Sequence, residues 1–406
     1  MTAPPRTFQY TVVDPTGTRR LHRIDAPSDR AVASHLRERG LLAVDISEVK
    51  TTGLNREITL TRRAKPKDVV VMTRQLATMV NSGLSLLRAL SVLTDQTENQ
   101  HLVKVLASIA GVIENGGTLA DGFAAHPQVF TPVIVAMIRA GETGGFLDQV
   151  LTTVADTMEA EITLRHTVKS AMTYPIVVLG FAVLAVIAML LFVVPIFSDM
   201  FDSLGSALPV PTRILVAVAS GMKIGAPILV AGAVGGAVWW RRNKSLPAVR
   251  AAVDPIKIGM PLFGDLMKKV ALARFCRNLA TMTRVGVPVV QALEVVGDTS
   301  GNIMIADAVA RVREVVTRGE PIGRAMANET IFPPMIRQMI AVGEDAGSLD
   351  TMLTKVAAFY DDEVKATTAS LTSIIEPVLI VIVGIIVGGI LISLYLPIFE
   401  LSTALE

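Results

Sequence analysis

Residues 174–197 (YPIVVLGFAVLAVIAMLLFVVPIF) and 377–399 (PVLIVIVGIIVGGILISLYLPIF) contain no charged side chain. Each is longer than the ~20 residues that cross ~30 Å of hydrocarbon at ~1.5 Å per residue. Core helices of soluble proteins seldom run so far without charge, so both stretches read as membrane spans. A third candidate, residues 214–240, is weaker because it holds Lys223, Pro227 and several glycines. Its main apolar part is 224–240, with Lys223 snorkelling to one interface and Trp239 and Trp240 at the other. Composition agrees: of 406 residues 51% are hydrophobic and 18% charged, against roughly a quarter charged in soluble domains.

The flanks orient the spans. Arg241, Arg242, Lys244 and Arg250 follow the second span, and Arg165 and Lys169 precede the first. The loop 199–213 carries Asp199 and Asp202 and no base until Arg213; the tail 400–406 carries Glu400 and Glu406 and no base. Basic segments stay in the cytoplasm. The N-terminal region and the segment between spans two and three are therefore expected inside, and the short loop and C-terminus outside. The N-terminus lacks the basic and apolar regions of a cleaved signal peptide. Net charge is +2, which does not point to nucleic acid, and the single cysteine, Cys276, excludes an intramolecular disulfide.

The chain repeats itself. Residues 76–90 (LATMVNSGLSLLRAL) recur as 279–293 (LATMTRVGVPVVQAL), with Gly83 on Gly286. Residues 130–151 (FTPVIVAMIRAGETGGFLDQVL) recur as 332–353 (FPPMIRQMIAVGEDAGSLDTML), after loss of one residue between the blocks. In that frame Tyr174-Pro175 at the start of span one falls on Glu376-Pro377 at the start of span three. Within each copy apolar residues recur near the helical period, and glycines mark stops. Six helices per copy are expected, the last running towards the membrane. Ser85 is expected to cap the second helix of copy one, and Pro288 to sit in a first turn of copy two.

Ahead of the repeats, residues 1–50 differ. Short β-type runs flank the turn signal Asp14-Pro15-Thr16-Gly17, residues 29–39 have an amphipathic helical pattern, and 42–49 reads as a strand. Residues 51–67 are a linker whose Arg62, Arg63, Lys65 and Lys67 either touch anionic membrane lipid or are simply solvated. The expected architecture is an all-α membrane protein. It has two repeated six-helix cytoplasmic bundles (68–172 and 245–373), three transmembrane helices (174–198, 214–240 and 376–399) and a small α+β N-terminal module.

Catalytic motifs are missing. No Gly-Lys dipeptide occurs, so there is no Walker A loop; no His-x-x-x-His pair and no GxSxG elbow occurs either. The stretches 174–197 and 377–399 hold no acidic residue to relay protons or coordinate ions. No enzyme and no cofactor is expected. The doubled Gly-Glu-x-x-Gly-x-Leu-Asp turn is the remaining candidate site: Gly141, Glu142, Gly145, Leu147 and Asp148, then Gly343, Glu344, Gly347, Leu349 and Asp350. Three readings apply. As a corner, Gly141 takes the left-handed cap, Thr143 or Gly144 allows the reversal, and Glu142 accepts N–H bonds at the start of the following helix. As a docking point, the acidic turn meets a partner. As a divalent-cation site, Glu142 with Asp148 and Glu344 with Asp350 supply too few oxygens. Gly232 with Gly236 and Gly384 with Gly388 either permit close helix approach in lipid or are merely tolerated.

The doubled LATM…G…AL block, the doubled GExxGxLD turn and the Tyr-Pro start of span one resemble the type II secretion F / type IV pilus assembly C family. The N-terminal FQYTVVDPTGT…RAVASHLRERGLLAVDISE segment looks like that family's leading module. The resemblance implies an inner-membrane platform protein with two six-helix cytoplasmic domains. It implies as partners a cytoplasmic hexameric assembly ATPase, pilin or pseudopilin subunits and other inner-membrane assembly proteins. A symmetric ATPase and glycine-spaced spans also favour a homo-oligomer. Copy two departs from copy one at Asp345-Ala346 for Thr143-Gly144, Glu376 for Tyr174 and Pro288 for Ser85, so the copies need not meet equivalent partners. The rival readings are a membrane transporter or channel component, which calls for polar residues along the spans or more spans, and a membrane-anchored enzyme with metal at the turns.

Overall fold

The computed structural model describes residues 6–13, 19–26, 43–48 and 64–404, except 204–208, 244–245 and 262. Contacts divide the chain into two units, residues 1–61 and 62–406. In the first, strands β1 (Arg6–Val13), β2 (Arg19–Ala26) and β3 (Ala43–Glu48) form an antiparallel sheet of order β2-β1-β3. Val13 pairs with Arg19, so β1 and β2 flank the Asp14–Gly17 turn signal. Strand β3 pairs with β1 from Phe8↔Glu48 to Val12↔Ala43, with a register shift at Thr11/Val12. The helix expected at 29–39 lies outside the described residues.

The second unit is helical and contains both repeats. The first consists of α1 (Pro66–Asn81), α2 (Leu86–Gln96), α3 (Gln100–Glu114), α4 (Leu119–Ala124), α5 (Pro132–Gly144) and α6 (Leu147–Ala188). A π-turn at Met189–Val193 carries α6 into α7 (Val194–Ser203), and α8 (Val210–Asn243) follows. A helix without counterpart among the described residues of copy one, α9 (Pro247–Gly259), precedes the second repeat. That repeat consists of α10 (Phe263–Arg284), α11 (Val289–Thr299), α12 (Ile303–Thr317), α13 (Ile322–Ala327), α14 (Pro334–Asp345) and α15 (Leu349–Ala404).

Local chemistry sets the breaks. Gly83 (φ 85°) and Gly286 (φ 75°) stop α1 and α10 in the left-handed region, where glycine pays no Cβ penalty. The chain then closes with Leu84 N donating to Met79 O at 3.1 Å and Val287 N to Met282 O at 3.0 Å. Ser85 stands at the N-cap of α2, but its side chain makes no capping hydrogen bond. Pro288 is the N-cap of α11 and not in its first turn. Asn99 and Asn302, in contrast, cap α3 and α12 through their side chains.

Both repeats share one core, which includes Leu76, Leu90, Phe123, Phe130 and Val154 of the first and Phe275, Leu293, Phe332 and Leu353 of the second. Phe123 stacks on Phe130 with centroids 3.8 Å apart, and Phe275 tilts against Phe332 at 5.1 Å. Helices α5 and α6 of copy one meet α10 of copy two. There Arg274 Nη2 lies 3.2 Å from Glu161 Oε1, and the Thr157 and Thr281 hydroxyls are 3.4 Å apart.

The long helices change surroundings along their length. Val150, Leu151 and Val154 of α6 are fully buried, whereas Phe181 further along is 71% exposed and Phe192 70%. Val356 and Val364 of α15 are buried, whereas Ile385 is 69% exposed. A band of large apolar side chains facing outward marks a membrane or protein contact. Two described helices are long and apolar enough to cross a membrane, Leu147–Met200 and Leu349–Leu396, and the protein is a membrane protein. Helix α8 is continuous over 34 residues; within its described side chains only Val210–Met222 forms an apolar run, shorter than a span.

Candidate functional site

The doubled turn is a corner of different construction from the one its sequence suggests. Helix α5 ends at Gly144, and the left-handed residue is Gly145 (φ 75°), not Gly141. In copy two it is Gly347 (φ 61°), not Gly343. Phe146 N then donates to Gly141 O at 3.0 Å, and Ser348 N to Gly343 O at 2.8 Å. Gly141 and Gly343 are buried helical residues, chosen for space. A Cβ on Gly141 would lie 2.8 Å from Val150 Cγ2, and one on Gly343 would lie 3.0 Å from Leu349 Cα. The absent side chain lets each long helix cross closely over the one before it.

Glu142 does accept backbone hydrogen bonds, but not from the helix that follows it. Leu119 N donates to its Oε1 at 2.5 Å and Ala120 N to its Oε2 at 3.1 Å. Those donors open α4, more than twenty residues earlier. Glu344 repeats the arrangement, accepting from Ile322 N at 2.7 Å and Gly323 N at 2.9 Å. The first N–H groups of any helix lack internal partners and carry positive partial charge. A carboxylate spanning two of them cross-links α4 to α5, and likewise α13 to α14. Thr118 satisfies a further donor, Asp121 N, at 3.0 Å.

The two carboxylates of each turn have different surroundings. Both Glu142 oxygens point at backbone, while Asp148 lies exposed in the first turn of α6. Asp350 sits 3.6 Å from Arg284 Nε. Among the described residues no three His, Cys, Asp or Glu converge. Leu147 and Leu349 pack on the core.

A second duplicated feature escapes the motif search. Arg74 and Arg277 hold the same place, two residues before each LATM block. Arg74 Nε lies 2.8 Å from Glu159 Oε1, and Arg74 Nη2 lies 2.5 Å from Asp156 Oδ1. Arg277 pairs with Asp361, which aligns with Glu159. Each arginine ties the first helix of its repeat to the last, the one that continues into the apolar region. The hydrogen bond from Arg74 holds the Glu159 carboxyl below its ordinary range. The recurrence of Arg-x-Leu-Ala-Thr-Met was a usable signal; its partner was not, because the carboxylate differs in type and stands far away in sequence.

At the start of the apolar segments the copies touch. Tyr174 Oη lies 3.4 Å from Glu376 Oε1, next to Pro175 and Pro377. Further along, Leu190, Val194, Ala219, Ile390 and Leu394 form a separate cluster, and the Thr212 hydroxyl donates to Ser393 O of α15. Gly232, Gly236, Gly384 and Gly388 take no part: a Cβ on any of them would meet nothing within 4 Å. Close helix approach within this chain is therefore not what these glycines provide.

These features define a membrane protein with a duplicated helical bundle whose last helices continue into long apolar segments. Residues 72–195 and 275–397 match the family described as Type II secretion system (T2SS), protein F, and residues 1–47 match the N-terminal domain of the same family. The chain belongs to that family. It is 41% identical to the type IV pilus assembly protein PilC of Myxococcus xanthus over 98% of this chain and 96% of the relative. It is 38% identical to PilC of Thermus thermophilus over 98% and 99%. It is 32% identical to the type II secretion system protein F of Pseudomonas aeruginosa over 97% and 98%.

Proposed function

We propose that this chain is the inner-membrane platform of a type IV pilus or type II secretion machine. It couples a cytoplasmic hexameric assembly ATPase to the extraction and assembly of pilin or pseudopilin subunits, together with other inner-membrane assembly proteins. The observation that carries this reading is the continuity of α6 and α15. Each starts at a corner clamped by Glu142 or Glu344 and runs on into the apolar region. At ~1.5 Å per residue, the 56 residues of α15 span on the order of 80 Å. A bundle moved at its base must move such a helix, which suits a part that transmits motion and performs no chemistry.

In this reading α8 is a third span, both repeats and the N-terminal region are cytoplasmic, and the C-terminus is external. The basic Arg241 and Arg242 at the end of α8 support that orientation. The outward Gly232/Gly236 and Gly384/Gly388 pairs support contact between copies in a homo-oligomer.

The test is reconstitution. The purified protein should hydrolyse no ATP, and should bind and change the turnover of a separate assembly ATPase. Hydrolysis that copurifies through every step, or an ATPase indifferent to the platform, sinks the proposal. A reporter active only in the cytoplasm should work when inserted between residues 245 and 259 and be silent after residue 406; the reverse pattern sinks the topology.

A further inference from the structure

Helix α9 inverts the usual pattern of a helix on a bundle, which turns its apolar stripe to the core and its charges to water. Along α9 and at its two ends, Leu246, Val249, Val253, Ile256 and Met260 recur at helical spacing. None of them belongs to the core that the two repeats share. Leu246 is 50% exposed, Ile256 65% and Met260 45%. The neighbouring exposed positions Ala251, Ala252 and Pro255 carry no charge either. The charges of α9 gather on its inward side. Asp254 is buried, and its Oδ2 accepts from Ile303 N at 3.2 Å, at the start of α12. Lys257 Nζ donates to Asp254 Oδ1 at 2.8 Å, and Arg250 Nε lies 3.8 Å from Oδ2. The helix is thus fixed to the second repeat through its polar side and presents its apolar side outward.

An outward apolar face marks a membrane or protein contact, and its place in the fold favours the membrane. Helix α9 follows the end of α8 directly. There Ile228, Val230, Val234 and Val238 are each more than half exposed. That outward band ends in the exposed Trp239 and Trp240, followed by the exposed Arg241 and Arg242. Aromatic and then basic side chains are the pattern of a cytoplasmic bilayer edge. Lys257 Nζ of α9 lies 5.9 Å from the centre of the Trp240 ring, so the last turn of α9 stands beside that edge.

We infer that α9 is an interfacial helix, lying in the cytoplasmic headgroup layer with Leu246, Ile256 and Met260 in lipid. Its polar face, which in an interfacial helix meets water, meets the second repeat through Asp254. The inference rests on the reading of α8 as a span. It gives the second repeat a hold on the bilayer surface besides α15, through a helix with no counterpart among the described residues of copy one.

The test is a depth measurement on the full-length protein in nanodiscs of phosphatidylcholine and phosphatidylglycerol. Cys276, the one native cysteine, is replaced by alanine. Single cysteines are then placed by Ile256→Cys, by Val234→Cys in α8, and by Ala346→Cys at the exposed corner on the far end of α15, and each is labelled with an environment-sensitive fluorophore. Position 256 should emit to the blue of position 346. It should be quenched by lipid carrying a spin label near the headgroup, and several-fold less than position 346 by aqueous iodide. Iodide quenching equal to that at 346 overturns the inference, because the face then meets water. Shielding of 256 from both quenchers overturns it as well, because protein then covers the face. Position 234 separates the two readings. If spin-labelled lipid reaches 234 and not 256, the span stands and the interfacial helix falls. If it reaches neither, the span reading falls too.

Discussion

Tyr174 and Glu376 occupy the same position in the two repeats and touch each other, Oη to Oε1 at 3.4 Å. Each stands just before a proline inside a long helix, where the missing N–H interrupts the ladder and allows a bend. The two interrupted points are held side by side where the apolar segments start. The pair is exposed, and its coupling in a double-mutant cycle of Tyr174→Phe and Glu376→Gln should be no more than about 1 kcal/mol. A photo-crosslinking residue at 174 should label a peptide containing 376 within the same chain; labelling only of a neighbouring copy contradicts the contact.

Glu142→Ala and Glu344→Ala should each destabilise the protein by about 1–3 kcal/mol, because two part-buried N–H groups lose their acceptor at once. A cap on the following helix involving a single bond would give less. Glu142→Gln retains one acceptor oxygen and should fall between. Thermal unfolding in detergent ranks the three, and a silent Glu142→Ala is incompatible with the observed clamp.

The glycines separate by cause. Gly145→Asn should be tolerated, since asparagine visits the left-handed region, whereas Gly145→Val should cost about 1–3 kcal/mol. Gly141→Ala should be harmful despite ordinary helical backbone, because its Cβ meets Val150 at 2.8 Å. Equal melting of Gly141→Ala and wild type would show that α5 and α6 can move apart freely.

The duplicated arginines should differ in weight. Arg277 and Asp361 are 12% and 27% exposed, so Arg277→Ala strands a largely buried carboxylate and should cost about 3–5 kcal/mol. Arg74 pairs with more exposed acids, and Arg74→Ala should cost about 1 kcal/mol or less. Denaturation midpoints of the two variants test the order.

Acid should loosen these links in a defined direction. Glu159 and Glu329 have folded-state pKa values below their ordinary 4.5, chiefly through hydrogen bonds from Arg74 and Arg311. Their stabilisation is fully present above pH 4.5 and is lost as pH falls through the lowered values. Melting temperature should therefore drop below about pH 4.5. The drop should be smaller when Glu159 and Glu329 are both replaced by Gln. A similar drop in the double variant would assign acid sensitivity elsewhere.

Much of this architecture was legible along the chain because it is written in local chemistry. Uncharged runs announce apolar helices, since charge in hydrocarbon is costly. The LATM and GExxGxLD blocks announce a repeat by identity alone. Gly83 and Gly286 announce stops because a left-handed residue after a helix selects glycine whatever surrounds it. The corner was readable only in part. Left-handed backbone and close helix crossing both select glycine, so the line of letters could not assign the first role to Gly145 and the second to Gly141. Only the packing of Val150 against α5 did so. Nor does a glutamate at a turn disclose which bare N–H groups it will reach. Glu142 closes on α4, and Arg74 on Glu159, because the fold brings distant helix ends within hydrogen-bond range. The glycine pairs in the apolar helices show the converse: their spacing permits contact, and where the helices lie in this chain decides that Leu190, Ala219 and Ile390 make it instead.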